Sequence, residues 1–338
     1  MSSPPGLFCL GSFSWPGERV FPGLLLDDQV YAVPELKGLA RERGVQLHGS
    51  ASTLELLAQW ESNLPALRMI AEALLAGSPA PSVSLERLHT HPPVMPRQIF
   101  QAGANYHKHV VDLIVDSALA RDPAANADRM RADASQMMRK RAQDGKPFIF
   151  MGLASSLTGP YDPIVIPYDV TQADWELELA AVIGRPARRV PRNVALNYVA
   201  GYTIANDITA RERLARADAP QLGMDWMAGK GAPTFLPVGP YITPAEFVAN
   251  PQDLMITLKL NGQVMQSEST ADMIFSTAQI IEFISQHVQL LPGDIILTGS
   301  PSGNGTHYRR FLGPGDLLEG EVTGLGLIRN PCVAEPPA

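Results

Sequence analysis

The chain has 338 residues, room for one large domain or a small one joined to a larger one, and 45% hydrophobic against 18% charged residues excludes a disordered chain. Its 27 Lys and Arg stand against 34 Asp and Glu, a net charge of −7, which argues against a broad grip on nucleic acid or an anionic membrane and leaves a small molecule as the expected partner. Only Cys9 and Cys332 are present, Met1–Pro5 carries no basic leader, and no apolar run nears the roughly 18 residues of a membrane span, so a cytoplasmic protein is expected.

Residues 1–50 alternate short apolar runs with Gly, Pro and Asp, and the run from Phe21 to Val33 reads as a hairpin turning at Asp27-Asp28. Ser52 and Glu55 have the spacing of a capping box, and the Leu/Ala-rich stretch behind them predicts one or two helices up to Gly77, bent or broken before Pro65. Pro79 to Pro96 holds five prolines and reads as a linker. The expected boundary lies near residue 94, dividing a small N-terminal α+β domain (1–93) from a catalytic domain (94–338).

Beyond Arg97 the pattern becomes β with inserted helices. Gln98–Ala102 and Lys146–Met151 read as strands. Between them, within an insertion of about 113–145, residues 124–144 place Ala127, Met130, Ala134, Met137 and Met138 on one face, with Arg139, Lys140 and Arg141 in the last turn. This helix is expected to dock by one side and cap a pocket, with Met130 and Met137 toward substrate or a subunit contact. Ser276 and Gln279 form a second capping box, starting a helix with Ile280, Ile281, Phe283 and Ile284 on its buried side; the strand from Ile295 follows.

Glu176 and Glu178 lie two apart at the start of an apolar strand and share a face; alternating acids also occur on solvated strands, so this segment by itself decides nothing. Asp207 ends a second apolar strand, followed by Arg211. Unpaired carboxylates side by side repel, and an all-oxygen set suits a hard cation such as Mg²⁺, Mn²⁺ or Ca²⁺. If the chain turns helical after Gly103, His109 and Asp112 lie at i,i+3, where the acid could orient the imidazole; His107 is an equally available alternative. Lys230 sits in a Gly-flanked stretch that reads as a flexible turn, where an ammonium could meet a developing oxyanion. The loop Thr298–Gly305 lacks a Walker lysine and a GxSxG pattern, which disfavours nucleotide binding and a serine hydrolase.

Five blocks in order, Gly103–His109, Ser155–Ile164, Glu176–Gly184 through Asn206–Arg211, Lys230–Pro240, and Asn261-Gly262 through Pro292-Gly-Asp to Thr298–Pro301, resemble the fumarylacetoacetate hydrolase family in its broad bacterial branch. The likeness spans about residues 97–325. It implies an α+β, mostly β fold, a mixed β-sandwich roll of the fumarylacetoacetase C-terminal type behind a small N-terminal domain, and a homodimer. It implies that Glu176, Glu178 and Asp207 hold Mg²⁺ or Mn²⁺, that His109 and Asp112 activate water, and that Lys230 stabilises the enolate or oxyanion. Tyr106, Arg211, Thr298 and Ser300 fall where the family contacts substrate. The implied activity is metal-dependent hydrolysis of a C–C bond in a β-diketone or acylpyruvate. Decarboxylation, tautomerisation or hydration of a metal-bound 2-oxo acid enolate is the alternative, and a catalytically silent binding or scaffold protein a third reading. Gly152 stands in place of a common lysine, Leu214 of a glutamine, Ala232-Pro233 of Phe-Asp, and Asn304 of a valine.

Overall fold

The computed structural model describes residues 6–336; Met1–Pro5, the stretch without a basic leader, lies outside them. A twelve-stranded sheet dominates. Its main path runs Val83–Ser84, Gln29–Ala32, Phe21–Leu26, Cys9–Ser14, Leu236–Pro244, Val199–Asn206, Leu177–Ile183, Ile295–Leu297, Ile99–Gly103, Phe148–Met151. Leu26 faces Gln29 across the expected Asp27-Asp28 turn, where Asp27 takes φ 51°, a left-handed value that aspartate tolerates. The N-terminal strands join the later ones directly, through the antiparallel pairing of Leu10 with Ile242.

One expectation for the N-terminal part needs correction. The proline-rich 79–96 stretch is no free linker, because Val83 pairs with Val30 and Thr90 with Phe13. Proline cannot donate to a ladder, but two-residue pairings at an edge ask for few donors. The helical stretch does break before Pro65, at Gln59, giving Thr53–Ala58 and Trp60–Leu75 with Pro65 inside the second helix. The break turns Trp60 into the core, and the buried Asn63 amide seals it by bonding both His48 and the Leu56 carbonyl.

A second sheet, ordered Gln263–Ser269, Met255–Leu260, Leu317–Val322, Gly326–Ala334, Ile164–Ile166, completes the sandwich. In the Leu177–Ile183 strand, Leu177, Leu179 and Ala181 pack in one core with Ile256, Leu258 and Leu318 of that sheet. Ala180 and Val182, on the opposite face, pack with Leu56, Leu67 and Ile70 of the N-terminal helices. Burial on both faces explains the uninterrupted apolar run, each fully buried Leu or Ile contributing about 1.5–3 kcal/mol. A solvated face for the acids of this strand is thereby excluded.

The insertion is a helical hairpin, His107–Arg121 followed by Ala127–Asp144, rather than one helix. Asn126 caps the second helix through the Arg129 amide. Val110, Val111 and Val115 share a core with Ala134 and Met138, and Met130 packs at its margin. Met137 is 51% exposed, which is at odds with a place on the same packed face as Met138 but leaves the expected subunit contact open. It precedes Met138 by about 100° of helix and so falls off the buried stripe. The helix Thr277–His287 carries the expected capping box of Ser276 and Gln279, with Phe283 half-buried at its edge. No helix among the described residues is long and apolar enough to cross a membrane.

Candidate metal centre and active site

The strands Leu177–Ile183 and Val199–Asn206 run antiparallel, with Leu177 opposite Asn206, so the residues before one and after the other meet at the same end. The Asp207 amide donates to the Glu176 carbonyl at 2.9 Å, closing that end. Glu176, Glu178 and Asp207 thereby offer carboxylate oxygens that all lie within 4.8 Å of one another. Glu178 is 2% exposed and accepts from the Gly299 amide at 2.5 Å. Gly299 has φ 96°, a conformation open to glycine, which aims that N–H at the acid.

Lys230 is not on a flexible turn. It ends the short helix Trp226–Lys230, is 7% exposed, and sets Nζ 2.7 Å from Glu176 Oε2 and 2.5 Å from Asp207 Oδ2. Its ammonium also donates to Thr209 Oγ1 at 2.7 Å. Arg211 reaches the opposite side of Glu176, donating to Oε1 at 2.6 Å and to Asp174 Oδ2 at 2.8 Å.

These neighbours split the three carboxyls. Burial pushes Glu176 up, but Arg211 and Lys230 overcome it and hold this carboxyl well below its usual range. Glu178 is driven well above its ordinary value by burial and by the charges of Asp207 and Glu176. Asp207 rises to about 6, burial outweighing the attraction of Lys230. Three buried carboxyls whose oxygens lie within 4.8 Å of one another form an all-oxygen donor set. A hard divalent cation fits this donor set, because three oxygens leave coordination positions for water or substrate.

His109 and Asp112 fall on one helix, as expected, and both are buried. Burial lowers the His109 pKa, while the charges of Glu176, Arg211 and Asp174 act on it more strongly than that of Asp112. The imidazole therefore lies in the field of the acid cluster and is neutral near pH 7. The Asp112 carboxylate does not hydrogen-bond it: one oxygen accepts from Arg131 at 2.5 Å and the other from Ser302 at 2.8 Å. His107 is bound instead to Ser135 Oγ, at 3.0 Å on the second helix of the hairpin.

Of the remaining expected residues, Thr298 spends its hydroxyl on the Leu179 carbonyl and Ser300 accepts from Gln266. The Tyr106 hydroxyl is fully buried and finds no partner among the described residues. The amide of Asn304 is likewise buried with neither atom bonded. Four contributors were absent from the sequence expectations: Asp174, Gln101, Arg131 and Ser302. Asp174 carried a signal, since it precedes Glu176 by the same two residues that separate Glu176 from Glu178; the other three become neighbours only through distant segments.

The fumarylacetoacetate (FAA) hydrolase C-terminal model matches residues 98–333. The chain belongs to this family. Among curated relatives, mitochondrial oxaloacetate tautomerase FAHD2A of Bos taurus is 35% identical over 308 residues, 90% of each chain. Mitochondrial oxaloacetate tautomerase FAHD2B of Homo sapiens is 42% identical over 190 residues, 56% of this chain and 59% of that protein. The match to 2,4-didehydro-3-deoxy-L-rhamnonate hydrolase of Sphingomonas sp. (strain SKA58) is 41% over 188 residues, 55% of this chain and 64% of that protein. The fumarylacetoacetate hydrolase of psychrophilic Exiguobacterium antarcticum superposes with a TM-score of 0.72 at 25% identity, covering 97% of this chain and 100% of that one. The α+β sandwich expected from sequence is thus the fold of the family, whose members are enzymes: hydrolases, isomerases and tautomerases.

Proposed function

We propose that this protein is a divalent-metal-dependent hydrolase that cleaves a C–C bond in a β-diketone or acylpyruvate-type 2-oxo acid. The observation that carries the reading is the buried cluster of Glu176, Glu178 and Asp207 with a neutral histidine, His109, and an ammonium, Lys230, in the same electrostatic unit. Glu176, Glu178 and Asp207 would hold Mg²⁺ or Mn²⁺, which when bound polarises substrate oxygens as a Lewis acid. His109 takes a proton from the water whose oxygen attacks the distal carbonyl carbon. The C–C bond then breaks, its electron pair passing to the carbon between the two carbonyls, which is protonated to give a 2-oxo acid beside a carboxylic acid. Lys230 offers its N–H groups to the oxygen on which charge develops, and Arg211 supplies a second cation for a substrate carboxylate.

Tautomerisation of a 2-oxo acid at the same centre is the second reading, favoured by the engagement of Asp112 with Arg131 and Ser302 rather than with His109, and by the names of the mammalian relatives. One experiment separates the two. Incubated with an acylpyruvate and Mn²⁺, a hydrolase releases pyruvate and a carboxylic acid; keto–enol exchange of oxaloacetate without fragment release from any diketo acid leaves only the second reading.

The expected homodimer is supported by an exposed apolar patch beside the cluster. Phe148 and Met151, on the outermost strand of the sheet, and Met224 and Met227 are about half exposed or more, and Trp226 stacks on Phe150 with ring centroids 4.3 Å apart. Such a patch on an edge strand calls for a cover. Sedimentation equilibrium at micromolar concentration tests it, a monomer being the contrary result.

A further inference from the structure

We propose that Gln101 is a positioning residue for Asp207 and that the missing side chain of Gly152 lets it act; this rests on the divalent-metal reading above. Gln101 lies on the Ile99–Gly103 strand, is fully buried, and donates from Nε2 to Asp207 Oδ1 at 2.6 Å. Lys230 holds the other oxygen, Oδ2. A carboxylate gripped at both oxygens cannot swivel about its Cβ–Cγ bond, so its remaining lone pairs are aimed before any cation arrives. The amide does this without charge. A second ammonium at Oδ1 would hold Asp207 as well but would repel a divalent cation.

The opposite end of the same amide reveals its dependence on Gly152. Gln101 Oε1 is buried and finds no partner among the described residues, a costly state for an amide oxygen. A Cβ placed on Gly152 would stand 2.9 Å from that oxygen, 3.2 Å from the amide carbon and 2.9 Å from Cγ2 of the buried Ile99. The amide is the free end of a flexible side chain, so a substituent at 152 would turn it off Asp207, while the buried Ile99 side chain would shift at some cost in stability. Gly152 is tied to its neighbour by its amide on the Ile99 carbonyl, and its φ is not in the left-handed region, so alanine there is conformationally ordinary.

The test is titration of the purified chain with Mn²⁺ alone, by calorimetry or by the electron paramagnetic resonance of the free ion, with melting of the metal-free protein alongside. Gln101→Met keeps the volume and removes the donor; it should weaken Mn²⁺ binding about 10–100-fold with only a small change in the metal-free Tm, the loss of the unsatisfied Gln101 oxygen offsetting the Asp207 Oδ1 left without its donor. Gly152→Ala should weaken Mn²⁺ in the same direction, and the double variant should bind no more weakly than Gln101→Met, because both act through one contact. Should Gln101→Met fold poorly, Gly152→Ala, which removes no polar group, carries the test. Mn²⁺ affinity equal to wild type in the well-folded single variants, or losses that multiply in the double, overturns the proposal. A wild-type chain that takes up no Mn²⁺ overturns the metal centre itself, and this inference with it.

Discussion

The Arg131 guanidinium stands 2.5 Å from a carboxylate oxygen of Asp112, joining the second helix of the inserted hairpin to the acid on its first. Arg131 is half exposed while Asp112 is buried, so the pair contributes little stability but decides which group Asp112 serves. Arg131→Ala should change the metal-free Tm little. It should leave Asp112 with less competing positive charge, raising the His109 pKa, so that the acid limb of the pH profile for kcat/KM moves upward. A profile that superposes on the wild type would show that Asp112 has no part in setting the base.

His109→Ala should lower kcat by roughly 10²–10⁴-fold with Mn²⁺ affinity nearly unchanged, whereas His107→Ala, which loses only a bond to Ser135, should be mild. Because burial holds the His109 pKa below 6.5, its neutral form persists to lower pH than an exposed histidine would allow. Activity should therefore fall only below that ordinary value. The reverse ranking of the two histidines in steady-state assays would move the base to His107.

Glu178→Gln should stabilise the chelator-treated protein and abolish the rise in Tm that Mn²⁺ gives the wild type. The sign follows from linkage. Glu178 is raised in the fold, so between its unfolded value of about 4.5 and its folded value the native state binds more protons than the unfolded chain, and stability falls as pH rises. Glutamine has no such slope, so the Tm advantage of the variant should widen from pH 5 to pH 8. An advantage constant with pH would mean that Glu178 ionises normally without metal.

Met138→Ala should destabilise the protein by about 2–5 kcal/mol through the cavity it leaves, against at most about 0.5 kcal/mol for Met137→Ala on the exposed side. Urea unfolding of both variants checks this. Equal effects would place Met137 under a cover such as a partner subunit.

The Asp27-Asp28 turn and the Ser276 capping box were legible from residues alone, because each is a local pattern, whereas the choice of the three acids, His109 and Lys230 rested on the resemblance of five blocks in order. Spacing alone could not tell whether Glu176 and Glu178 lie on a solvated face. Their burial is decided by two distant partners of one strand, the second sheet on one face and the N-terminal helices on the other. Similarly, helical period placed His109 and Asp112 together, yet charges from residues 174–211 weigh more on the imidazole, and Asp112 is taken by a residue nineteen positions away. Gln101 had no local signature at all, being polar in an apolar strand without periodic company. Its role exists only because sheet pairing lays residue 101 beside Gly152 while folding brings Asp207 to the same place. Sequence thus determined which chemical groups are available and where the strongly patterned elements lie, though not that 79–96 pairs into the sheet or that Lys230 ends a helix. Tertiary contact decided their charge states and partners, because desolvation and Coulomb energy depend on distances through space rather than on separation along the chain.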